Sequence, residues 1–188
     1  MFREMRRKKQ LLSEAECADI LERGSAGVLS LLGDDSYPYG VPMSYFYGDG
    51  KVYFHSADSG HKIDALRNHG KASFCVIDQD HVMPEEYTTY FRSVIAFGQV
   101  RVIADEQERR RAILALGKKY YPDDSAAHRD EVIAKEGKTL CMLELCIEHM
   151  TGKEAIELVK RRRPGAVTSP EEPGACESGA KRVESECR

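Results

Sequence analysis

No apolar run in this sequence approaches the roughly twenty residues that a bilayer-spanning helix needs. The basic start, with Arg3, Arg6, Arg7, Lys8 and Lys9, is followed by QLLSEAEC rather than by the apolar core of a secretory signal. A cytoplasmic protein with no membrane partner is the expectation. Charge of one sign is also lacking. Against 28 Lys and Arg stand 31 Asp and Glu, a net charge of -3, which gives no bulk attraction to nucleic acid and puts small molecules and proteins first as partners. The basic clusters near the start and at Lys160 to Arg163 read as solvated charge runs. Cysteine is sparse: the six present, Cys17, Cys75, Cys141, Cys146, Cys176 and Cys187, are too thinly spread for a disulfide scaffold and read as reduced thiols. Tryptophan is absent. Neither G-x-G-x-x-G nor a Walker lysine loop occurs, which removes support for those two modes of nucleotide binding.

What is present is a 41% apolar chain of 188 residues, enough for one buried core. Ser13 and Glu16 stand in capping-box spacing before a helix that Gly24 ends. Strand candidates follow at AGVLSLL from Ala26, YGVPMSYFY from Tyr39, KVYFHS from Lys51 and KASFCVI from Lys71. Gly48-Asp49-Gly50 reads as a hairpin turn between the second and third. A short helix, GHKIDALRNHG, interrupts the strands, with Gly70 as its stop. TTYFRSVIAFGQVRVIA from Thr88 reads as a long strand with Gly98 as a bulge or kink. Asp105 and Glu108 repeat the capping spacing before a helix that Pro122 stops, and a weaker helix covers Ala126 to Glu136. In KTLCMLELCIEH from Lys138, Leu143, Leu145 and Ile147 alternate with Glu144 and Glu148. Strands at short intervals with a few helices indicate an α+β domain dominated by an antiparallel sheet or barrel. The domain is placed at residues 1–160. From Arg161 to Arg188 no Leu, Ile, Phe, Tyr or Met occurs, so this segment reads as a disordered tail.

The stretch FHSADSGHK, from Phe54 to Lys62, carries the most chemistry. A helix opening near Gly60 presents unpaired N–H groups, Ser56 and Ser59 add hydroxyls and Lys62 a charge, all suited to a phosphate. The plain alternative is that Asp58 or Ser59 caps the helix while Lys62 points to water. His55, His61, His69 and Cys75 lie close in sequence but match no zinc spacing. Cys141 and Cys146, an odd number of residues apart on a strand, face opposite ways and do not form a pair. Tyr87, Tyr90, Phe91 and Arg92 suit either stacking on a planar ligand or ordinary cross-strand packing.

Taken together, MFREMRRKKQ, YGVPMSYFY, FHSADSGHKIDAL, FCVIDQD, EEYTTYFRSVIAFGQVRV and IEHMTGKEA resemble the 5-nitroimidazole antibiotic resistance protein family, within the pyridoxamine 5'-phosphate oxidase-like flavoproteins. The resemblance runs from Met1 to about Lys160. It implies a six-stranded antiparallel split β-barrel with flanking helices, forming a homodimer with FMN at the subunit interface. It places the FMN phosphate at His55, Ser56, Gly60, His61 and Lys62, and the flavin ring along Val41, Pro42, Met43 and Ser44. From the partner subunit it brings Tyr90, Arg92, Ser93 and Val94. Two departures separate the chain from the true oxidases, which have arginine where His61 stands and a C-terminal segment bearing tryptophan and arginine. Oxidation of pyridoxamine phosphate is therefore not expected. His61 becomes the candidate catalytic residue of an FMN-dependent reductase acting on a small electron-poor substrate such as a nitroaromatic or nitroimidazole. A non-enzymatic flavin or haem carrier or sensor is the alternative, because no nicotinamide-binding motif supplies an electron donor. A dimeric structural protein that has lost the cofactor is a third.

Overall fold

The structure, a computed structural model, describes residues 2–136 and 140–162. Its elements are α1 (Glu14–Arg23), β1 (Ala26–Leu32), β2 (Pro38–Ser44), β3 (Phe46–Gly48), β4 (Lys51–Ala57), α2 (His61–Asn68), β5 (Lys71–Met83), β6 (Thr88–Val102), α3 (Glu106–Tyr120), α4 (Ala126–Glu136), β7 (Leu140–Glu154) and α5 (Ile156–Arg162). Local chemistry sets several of these boundaries. The Ser13 hydroxyl accepts from the Glu16 N–H while the Glu16 carboxylate accepts from the Ser13 N–H, a complete capping box. At α3 only half of that device forms. Asp105 accepts from the Glu108 N–H at 2.7 Å, but the Glu108 carboxylate is taken by Arg101 at 3.1 Å. Asp49 and Gly50, with φ of 53° and 71°, make the tight β3–β4 reversal.

The seven strands run in the order β2-β1-β5-β6-β7-β4-β3, and every pairing is antiparallel. β2 and β3 lie at opposite ends of that order, yet only Tyr45 separates them in sequence. The two ends must therefore meet, and the sheet closes into a split barrel. The single strand expected from Tyr39 bends at Tyr45, which turns the six strands expected into the seven observed. At the bend the Tyr45 N–H donates to the Tyr120 hydroxyl at 2.9 Å, and that hydroxyl shares its proton between the carbonyls of Tyr45 and Ser25. The end of α3 thus satisfies the main-chain groups that the break in the strand would leave unpaired.

Inside the barrel, Leu29, Val52, Phe54, Phe74, Val94, Leu143 and Leu145 meet Ile20 and Leu21 of α1 and Ile63 of α2. Phe74 lies edge-on to both Tyr45 and Phe54, with centroids 4.9 and 5.0 Å apart. A smaller core lies outside, where Ala112 and Leu116 of α3 cover Met142 of β7. β7 runs on to Glu154, past the end expected at His149; Lys138 and Thr139, its expected start, lie outside the described residues. The β6–β7 register shifts between Phe97 and Gly98, whose partners are His149 and Ile147, so the extra residue is Glu148, opposite Gly98. A Cβ on Gly98 would sit 1.9 Å from the Cys146 carbonyl oxygen, so glycine there is a requirement of close approach. Cys141 is buried and Cys146 exposed.

α5 takes in Arg161 and Arg162, beyond the boundary expected at residue 160, because Arg162 is held by ion pairs to Glu154 and Glu16. Residues 163–188, the rest of the expected tail, lie outside the described residues. Among the described residues no helix is long and apolar enough to cross a membrane.

Candidate ligand site at the mouth of α2

β4 alternates along FHSA: Phe54 and Ser56 turn into the barrel, His55 and Ala57 away from it. His55 and Ser56, neighbours in the expected site, therefore serve opposite faces. Ser56 is buried beside Cys141, its partner on β7. The Cys141 thiol donates to the Ala57 carbonyl at 3.2 Å. Burial pushes its pKa up, opposed by a hydrogen bond from Ser56 and by the charge of Lys62.

The chain then turns at Gly60, whose φ of 105° suits only glycine, with no atom within 4 Å of the place a Cβ would take. Neither Asp58 nor Ser59 caps α2, and among the described residues no side chain caps its N-terminus. Of its first amides, those of Ile63 and Asp64 return to the Gly60 carbonyl, which leaves the N–H groups of His61 and Lys62 facing outward. Ser59 is exposed beside them. Lys62 is half-buried, and burial lowers the pKa of its ammonium group. No carboxylate pairs with it among the described residues. His61 is fixed differently. Its ring stacks on Tyr39 with centroids 4.1 Å apart, and its Nε2 stands 3.6 Å from an Asp34 carboxylate oxygen, within ion-pair reach but too far for a hydrogen bond.

β2 borders this mouth through the stack of Tyr39. Among the described residues it pairs only with β1, which leaves its other edge without a strand partner there, and Pro42 removes one donor from the strand. Val41 and Met43 turn inward and Pro42 and Ser44 outward, so Val41 and Met43 have only their main chain to offer a ligand on the outer face.

Tyr90, Arg92, Ser93 and Val94 do not join the mouth within one chain. Arg92 pairs with Glu154 at the far end of β7 from Cys141, roughly 40 Å away along an extended strand. Its guanidinium is bound to Glu154 at 3.2 Å and Asp78 at 3.4 Å. Asp78 also holds Arg23. The Tyr90 hydroxyl donates to Glu86 at 2.7 Å beneath the Arg161 guanidinium. Val94 is core and Ser93 faces outward. The patch read as aromatic and cationic is thus held by its own ion pairs and ring contacts.

A second concavity was not anticipated. Between the outer face of β4 and helices α3 and α4 lies a cavity of about 440 Å³, reached by Ser44 and His55 and walled by residues such as Leu116, Tyr121, Arg129 and Val132. Of its lining, only Ser44 and His55 are residues that the sequence marks as site candidates. Arg129 stands in AHRDEVIAKE, whose charge density reads as a solvated helix and signals no burial. Among the described residues no cluster of His, Cys, Asp and Glu is arranged to hold a metal ion.

A search of curated protein sequences returned no match. Among solved structures, the chain is similar to a conserved hypothetical protein from Mycobacterium tuberculosis (TM-score 0.71, 18% identity, covering 93% of this chain and 99% of that one). It is also similar to the FAD and heme binding protein from Mycobacterium smegmatis (0.64, 20%, covering 93% and 94%). A third is a proposed 5-nitroimidazole antibiotic resistance protein from Bacteroides thetaiotaomicron (0.64, 21%, covering 76% and 85%). Identities this low speak for the fold alone. The family model described as pyridoxamine 5'-phosphate oxidase matches residues 13–154, nearly the whole of the barrel with its covering helices, and the chain belongs to that family.

Proposed function

We propose that the mouth of α2 binds the phosphate of a flavin, FMN, and that two copies of the chain enclose the cofactor. The observation that carries this reading is the pairing of a helix N-terminus with a half-buried Lys62, the one without a side-chain cap and the other without a carboxylate among the described residues. A cation drawn out of water without a counter-charge costs free energy until an anion arrives, and the N–H groups of His61 and Lys62 supply the directional donors. The donor set fits a phosphate: Lys62 and two amides, with the Ser59 hydroxyl at the rim and Ser56 anchoring the end of β4 beneath. The solved structures named for FAD binding share the fold and support a flavin, while the phosphate site alone suits FMN.

The outer face of the barrel supports self-association. Pro42, Val28, Cys75 and Ile95 are successive cross-strand partners from β2 to β6. With Ile77, 66% exposed, they make an apolar row that no helix among the described residues covers. Pro42 belongs to the row, so a second copy seated on it would close the flavin edge of β2. Ser93 faces the same side. Arg92, committed to Glu154 and Asp78, would position the partner's strand rather than touch the ring.

Bound flavin supplies the redox chemistry. The chain's own residues hold the phosphate, align β2 and keep His61 oriented through Tyr39 and Asp34, where it can donate a proton to an acceptor gaining negative charge. The proposed activity is reduction of a small electron-poor acceptor of the nitroaromatic or nitroimidazole class, in the cytoplasm. The same site without turnover would make a flavin carrier.

The test is an absorption spectrum of the purified protein, with release and mass identification of any chromophore. FMN is the expected release product, and Lys62→Ala should weaken its binding about tenfold or more. Unchanged occupancy in that variant would sink the site. A Soret band would instead point to haem.

A further inference from the structure

Arg129 of α4 is 8% exposed and lines the cavity between β4 and helices α3 and α4. A guanidinium cannot shed its proton, so it carries its charge into that wall. Its Nη2 donates to the carbonyls of Tyr121 at 3.3 Å and Asp124 at 2.9 Å. Both acceptors are neutral, and the buried Nε has no partner. No carboxylate among the described residues forms an ion pair with it. The Asp124 carboxylate, 11% exposed, is turned to His128 Nδ1 at 2.8 Å. Gly117 of α3 makes the room: a Cβ there would rest 3.4 Å from Arg129 Cδ and 3.7 Å from Nε. The rest of the wall is mostly the apolar side chains of Ile113, Leu116, Val132, Ile133 and Leu140, with the Asp124–His128 pair at its polar side. A volume of about 440 Å³ falls within the range of small-molecule sites.

A buried cation bonded only to neutral carbonyls is left partly uncompensated, and an unpaired buried charge is costly. An anion with an apolar body resolves both halves of the site. We propose that this cavity binds a small aromatic monocarboxylate, its carboxylate against the Arg129 guanidinium and its ring between the aliphatic side chains of α3, α4 and Leu140. Ser44 lies both in the cavity wall and on the strand assigned to the flavin. If the flavin reading holds, an electron-poor aromatic acid is therefore the acceptor class. The binding itself does not depend on that reading.

Titration of the full-length protein with benzoate and with benzamide, followed calorimetrically with and without added FMN, tests the site. Benzoate should bind, and benzamide, the same shape without charge, about tenfold or more weakly. Arg129→Met should erase the difference. Because that change also removes two main-chain hydrogen bonds, Val132→Trp provides an independent check. Val132 is 44% exposed, and an indole there should fill the cavity and abolish benzoate binding without unfolding the protein. Absence of benzoate binding, equal affinity for benzamide, or indifference to Val132→Trp would each overturn the proposal. Benzoate binding to flavin-free protein would uphold it even if FMN never binds.

Discussion

At the Glu154 end of β7, Arg92, Arg162 and Arg23 are matched by Glu154, Asp78 and Glu16 through ion pairs that centre on Glu154, a carboxylate with no exposure at all. At the Leu140 end, Lys62 and Arg129 are drawn out of water with no carboxylate on either among the described residues. The same strand therefore joins a closed charge network to an open one. Closure is what structure requires, because a buried charge missing its partner is strongly destabilising. An open cation is tolerated where a ligand can complete it, and that asymmetry locates the binding end of the molecule more firmly than the fold does.

The largest effect is expected where the network is closed. Glu154→Ala removes the buried carboxylate that Arg92 and Arg162 share and leaves them only Asp78 and Glu16, so unfolding in urea should show a loss of about 3 kcal/mol, the low end for a broken buried pair. A loss below about 1 kcal/mol, the ordinary worth of an exposed pair, would remove the contrast between the two ends. Next comes the clamp at Tyr45. Tyr120→Phe deprives the Tyr45 N–H and C=O of their partner and should cost about 1–3 kcal/mol. The result separates an end that is open in charge from one that is merely loose, since the neutral hydrogen bonds there are made.

Lys62→Met sharpens the comparison from the other side. Burial lowers the pKa of this ammonium group, so its charged form is disfavoured in the folded state. Its contribution to stability is unfavourable below the folded pKa and fades as pH rises through it. Replacing it should leave the melting temperature unchanged or raise it at neutral pH while FMN affinity falls. A melting temperature that drops as far as for Glu154→Ala would make Lys62 a structural residue.

Much of this was legible in the sequence. Capping residues, the Asp49-Gly50 turn and strand alternation placed the elements because those signals are local. The cluster Ser56, Ser59, Gly60, His61 and Lys62 announced a helix mouth of unusual chemistry. What escaped depends on contacts distant in sequence. Nothing in SYFY marks a break, because the bend at Tyr45 is held by Tyr120, 75 residues away. Arg92 reads as a free cation until its partner Glu154, 62 residues on, is brought alongside. Arg129 reads as solvated because burial of one face of a charged helix is decided by the barrel it packs on.

Glu144 lies between the two ends of β7 and should give the smallest effect. It faces outward yet is 2% exposed, gripped by Arg101 at 2.9 Å and Lys51 at 3.0 Å. Burial alone would raise its pKa, but the hydrogen bonds and charges of Arg101 and Lys51 outweigh it and hold the carboxyl below its ordinary value of 4.5. Lowering means that the folded state favours the ionised form. Its stabilisation is therefore fully present above the ordinary value and is lost as pH falls through the folded one. Both cations keep substantial contact with water and can rehydrate, so Glu144→Gln should cost only about 1 kcal/mol at neutral pH. Melting curves of the two proteins should converge as pH is taken below the ordinary carboxylate range. A gap that persists undiminished into acid would mean that packing, and not charge, holds Glu144, and β7 would then have no graded passage between its closed end and its open one.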